Sequence, residues 1–95
     1  MFGNRRRQSM VLVLQDAKAL LELPHNDFGW SSWHNAAQAL SEINGYITQL
    51  NNGQWPDKTT LKVLFAATGP IQEVSLSSGW SQEFLKLAER FDNVV

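Results

Sequence analysis

Cysteine is absent from the 95 residues, which excludes disulfide scaffolds, thiolate metal sites and cysteine nucleophiles. Charge is scarce as well. Eight Lys+Arg against nine Asp+Glu leave a net charge of −1, which excludes a generally basic nucleic-acid binder. No apolar run approaches the ~20 residues of a membrane span. Residues 10–14 form an apolar run behind Arg5, Arg6 and Arg7, but Gln15 and Asp16 end it after five residues. A signal-peptide core needs about 7–15 apolar residues, so cytoplasmic residence is expected. The two histidines, His25 and His34, are nine positions apart and miss the i,i+4 spacing of helical metal ligands. Neither a nucleophile elbow, a Gly-Lys-Ser/Thr phosphate loop nor a calcium loop occurs, so no metal or cofactor is expected.

What remains is a globular composition of 43% apolar residues on a chain sized for one domain. The near-zero charge is uneven. Without Arg5, Arg6 and Arg7 the body holds five basic and nine acidic side chains, a formal −4. Residues 1–8 therefore read as a flexible basic tail on a single helical domain, residues 9–95. Three arginines neutralise about three phosphates, a weak and sequence-blind attraction.

Apolar spacing divides the domain. Met10, Val13, Leu14, Ala17, Leu20 and Leu21 share one helical face over residues 9–23, with Pro24 as the stop. Trp33, Ala36, Ala37, Leu40, Ile43, Ile47 and Leu50 predict a second helix, and Asn44 falls inside that stripe. A buried amide there needs a partner across the core or at an interface. Gly53 supplies a left-handed stop. Pro56 and Asp57 start a third helix, whose face holds Leu61, Leu64, Ala67 and Thr68. Around Gly69-Pro70 two forms compete: a short helix opened by Pro70, with Gln72 reaching back to the Gly69 amide, or a hairpin of strands at 61–66 and 71–77. The helix is favoured, because a lone hairpin is marginal by itself. Ser81 reads as the N-cap of the last helix, with Trp80 stapled onto Leu85 and a core face of Phe84, Leu85, Ala88 and Phe91. The fold class is all-α: a bundle of three long helices and one or two short ones.

Four Trp form the heaviest chemical signal. Trp33 falls on a core face, whereas Trp30, Trp55 and Trp80 mark helix starts, where an indole fills the end of a bundle. The triplets Gly29-Trp30-Ser31 and Gly79-Trp80-Ser81 read as one helix-start device used twice. Trp55, and after it Trp30, are the candidates for an exposed aromatic anchor. The leading expectation is a small non-enzymatic protein–protein interaction module: a regulator, inhibitor or immunity-type protein with an unknown protein partner or a second copy of itself. The alternative is a small enzyme or ligand-binding domain using His34, Glu42 or Glu83. His34, Gln38 and Glu42 lie four apart, and the plain interpretation of that line is a solvated stripe. The third expectation is weak nucleic-acid attachment through Arg5, Arg6 and Arg7. A long helix with one acid and no Lys or Arg argues against membrane binding.

Overall fold

The computed structural model describes residues 2–95, with side chains from Arg5 onward. Five α-helices follow one another: α1 (Phe2–Leu21), α2 (Ala36–Asn51), α3 (Lys58–Leu64), α4 (Pro70–Ser78) and α5 (Ser81–Val94). There is no strand among the described residues, so the all-α bundle of three long and two short helices is the architecture. α1 is the centre of the packing, laid against α2, α5 and α4, and α4 also packs on α5.

α1 begins seven residues before the start expected from periodicity. Residues 2–8, expected as a tail, belong to this helix; Met1 lies outside the described residues. Arginine is a good helix former, and a tertiary contact adds to it. The Arg6 guanidinium donates to the Val94 and Val95 carbonyls at 2.9 Å each, joining the two ends of the chain. Met10, Val13, Leu14, Ala17 and Leu21 are buried on the predicted face, and Leu12 is exposed. The helix stops at Leu21, before Pro24, where the Asn26 side-chain amide donates to the Leu20 carbonyl at 2.8 Å.

α2 starts later than its apolar spacing implies. Asn35 is the N-cap, its side chain accepting the Gln38 amide at 2.9 Å, and Trp33 belongs to the connector before it. Moving Trp33 off the helix rotates the buried stripe to Ala39, Ile43 and Leu50. Ala37 and Asn44 are consequently exposed, so the amide expected inside the core lies outside it. Gly53 is left-handed at φ 82°, as its position after the helix predicts.

Asp57 caps α3 through the Thr59 amide. That helix ends at Leu64, which leaves Ala67 and Thr68 exposed rather than on a core face. Residues 71–77 are helical, with Pro70 in the first turn of α4. The Gly69 amide donates to Ala66 and not to Gln72, which instead satisfies the buried Ser75 hydroxyl. Gly69 has a packing reason: a Cβ there would sit 2.2 Å from the Val63 carbonyl oxygen.

Gly79, left-handed at φ 87°, turns the chain into α5. Trp80 occupies the N-cap and Ser81 the first helical position, so Ser81 is not the cap. Phe84, Leu87 and Phe91 face the core, and Phe91 stacks on Phe65 with ring centroids 4.4 Å apart. Leu85 is 60% exposed, which rules out the staple onto Trp80; the indole is committed to the core side instead.

The two mid-chain glycines test this packing in opposite directions. Gly69→Ala is expected to destabilise by about 2–3 kcal/mol in urea unfolding, since a backbone oxygen blocks the methyl. Gly45→Ala, which meets open space within α2, is expected to stabilise by about 0.5–1 kcal/mol.

Candidate functional site

Residues 22–35 form the long non-helical connector between α1 and α2. Its composition of Pro, His, Asn, Asp, Gly and Ser favours turns. Side chains hold it in place. Asn26 accepts the Trp80 indole N–H at 2.8 Å while capping Leu20, so one amide links α1, the connector and the start of α5. The Asp27 amide donates to the Ser78 hydroxyl at 2.9 Å, and the Gly29 amide to the Asp27 carboxylate at 2.8 Å. The Ser31 amide donates to the Phe28 carbonyl, and the Trp33 amide to the Ser31 hydroxyl, both at 3.1 Å. Within this frame Trp30 is 77% exposed, the most exposed of the large apolar side chains.

Trp33, three residues on, is 3% exposed, and its indole N–H donates to Glu42 Oε1 at 3.0 Å. The Tyr46 hydroxyl, one turn further along α2, donates to Glu42 Oε2 at 2.7 Å. Glu42 is thus half-buried and bonded rather than part of a solvated stripe. Bonds of this charge-assisted kind contribute about 1.5–3 kcal/mol each. Glu42 also lines a cleft of about 310 Å³ with Ser32 from the connector, Thr59, Thr60, Val63 and Leu64 from α3, and Pro70 from α4. Val63, Leu64 and Pro70 make it mainly apolar, as small-molecule sites generally are.

The other sequence candidates are dispersed. His34 is exposed, its backbone amide bonded to the Gln38 side chain, and Glu83 is exposed in the first turn of α5. Neither lines the cleft that Glu42 lines. Trp55, the indole expected to be most exposed, is half-buried, with the Arg6 guanidinium 5.6 Å and the Lys58 ammonium 5.5 Å from its ring centroid. Of the three arginines, Arg6 is bonded to the end of α5, Arg7 is half-buried beside Leu50 and Asn51, and Arg5 is exposed. No group of three or more His, Asp or Glu gathers among the described residues. No helix among them is long and apolar enough to cross a membrane. The Trp33–Glu42–Tyr46 link is the feature that apolar periodicity passes over, although Glu42 and Tyr46 stand at the i,i+4 spacing of a helical pair.

Comparison with protein-family models, curated proteins and solved structures finds no match for this chain.

Burial, then the hydrogen bond to Glu42, then the Glu42 charge push the Tyr46 phenol well above its ordinary value of 10.0. Below that pH the phenol is protonated in both the folded and the unfolded chain, and the Tyr46 contribution is complete. Above it the unfolded chain releases its proton first, so stability falls as pH rises. Tyr46 is the single tyrosine, so an alkaline absorbance titration reads it alone. The folded protein is expected to titrate above the ordinary value, with Glu42→Gln moving the midpoint down. A midpoint at the ordinary value while circular dichroism still reports helix would contradict the assignment.

Proposed function

We propose that this chain is a small non-enzymatic module that binds another protein by placing the Trp30 indole in an apolar pocket of its partner. The observation that carries this reading is the combination at Trp30: a large aromatic, 77% exposed, on a connector whose backbone amides are bonded on both sides of it. An anchor held in place before binding loses little conformational freedom when it docks, so more of its burial energy appears as affinity. Covering ~150 Å² of indole at about 25 cal/mol per Å² contributes roughly 4 kcal/mol. An exposed ion pair contributes about 0–1 kcal/mol, so the indole outweighs the charges around it.

Asp27, exposed three residues before the anchor, fits a partner pocket with a basic or amide rim. Trp55 has the weaker claim, because its ring is half-buried and already carries the Arg6 and Lys58 cations. Nucleic-acid attachment through the arginines has weaker support as well, since Arg6 is spent on the Val94 and Val95 carbonyls. A cytoplasmic setting accords with a chain free of cysteine.

The test is cross-linked affinity capture from the protein's own cell extract with wild type, Trp30→Ala and Trp55→Ala. Wild type and Trp55→Ala are expected to retain one partner and Trp30→Ala to lose it, while Trp30→Ala changes folding stability by no more than about 0.5 kcal/mol. Retention of the partner by Trp30→Ala, or capture of no partner by wild type, overturns the proposal.

A further inference from the structure

The cleft between α2 and α3 carries an imbalance that the anchor does not use. Glu42 is the one acidic or basic side chain among its lining residues, and no cationic group pairs with it among the described residues. A carboxylate offers about four acceptor positions. Trp33 and Tyr46 take one on each oxygen, both as neutral donors, and leave its charge uncompensated. The phenol is held in its protonated, donating form by burial and by Glu42 itself. A ligand that completes this carboxylate must bring donors and positive charge together. Beside it, Val63, Leu64 and Pro70 offer apolar surface to the rest of such a ligand. Val63 is 58% exposed, so the wall is open to solvent when nothing covers it.

We infer that this cleft binds a small organic monocation, an alkyl- or arylalkyl-ammonium ion. Its ammonium group bonds Glu42, and its apolar part covers Val63, Leu64 and Pro70. The volume of about 310 Å³ holds a molecule of this size and not a folded partner. A bare metal ion fits less well, because the indole N–H and the phenol O–H turn donors, not lone pairs, toward the carboxylate. Thr59 and Thr60 also line the cleft, the Thr60 hydroxyl donating to Asp57 at 3.1 Å.

The probe is phenethylammonium chloride, titrated into ¹⁵N-labelled full-length protein, with 2-phenylethanol as the neutral comparator of nearly the same shape. The Trp33 indole N–H, bonded directly to Glu42, is the reporter. A saturable shift of that resonance and of the Thr59 and Thr60 amides is expected, with the alcohol at least about tenfold weaker. Glu42→Gln is expected to weaken the ammonium by a similar factor. Since that change also weakens the Trp33 and Tyr46 bonds, Val63→Lys is the second variant. At this exposed rim position its own ammonium competes for Glu42 and is expected to abolish probe binding without disturbing the fold. Absence of saturation up to about 10 mM probe, equal affinity for alcohol and ammonium, or undiminished binding in Val63→Lys overturns the inference.

Discussion

Two buried indoles need acceptors for their N–H groups, and each finds one on a side chain from a different part of the chain. Trp80 donates to Asn26 and Trp33 to Glu42. An indole N–H left unbonded in the core costs about 1–3 kcal/mol, comparable to a large fraction of the stability of a small domain. Asn26 meets that need while donating to the last turn of α1, so the end of one helix and the start of another are tied through one amide. Glu42 does the same between the connector and α2. Residues 22–35 therefore hold a defined course although they contain no helix of their own. The path of the connector then decides that Trp33 faces inward and Trp30 outward.

Around this clamp the apolar packing is ordinary for a small bundle. α1 buries one stripe against α2 and α5, and the Phe65–Phe91 stack fills the space beside α3. The Arg90–Asp16 ion pair between α5 and α1 lies on the surface at 2.6 Å and adds at most about 1 kcal/mol. Arg6 contributes differently: it satisfies the Val94 and Val95 carbonyls at the end of α5, which a helix terminus otherwise leaves to water. The apolar core and the bonds of the buried indoles hold the helices together, and the exposed ion pair adds little.

How far the sequence is legible depends on which force dominates at each position. Where apolar spacing alone decides, as from Met10 to Leu21, the buried face follows directly from the residues. Where a polar bond sets the backbone course, the phase of the pattern misleads. Trp33 fits the α2 spacing but lies in the connector, since Asn35 caps the helix after it; its indole N–H goes to Glu42, and Asn44 is exposed. Leu85, expected on the core face, is exposed and Leu87 is buried in a helix whose N-cap is Trp80, bonded to Asn26. The two Gly-Trp-Ser triplets make the same point: one indole is 5% exposed and the other 77%, with identical neighbours. Local sequence does not distinguish them; acceptors more than fifty residues away in the one case do. Glu42 is legible as a candidate and Tyr46 stands at its i,i+4 spacing, whereas the bond from Trp33 in the connector has no periodic signature.

The proposed functions share one physical premise, a connector that is rigid. It presents Trp30 to solvent and, through Ser32 and the Trp33–Glu42 bond, forms part of the α2–α3 cleft. Native-state amide hydrogen exchange at Asp27, Gly29, Ser31 and Trp33, four of the bonded amides of the connector, measures that premise directly. A rigid connector slows their exchange by about a hundredfold or more relative to an unstructured peptide, approaching that of the α2 amides. Exchange of these four at unstructured rates while α2 remains protected would contradict it.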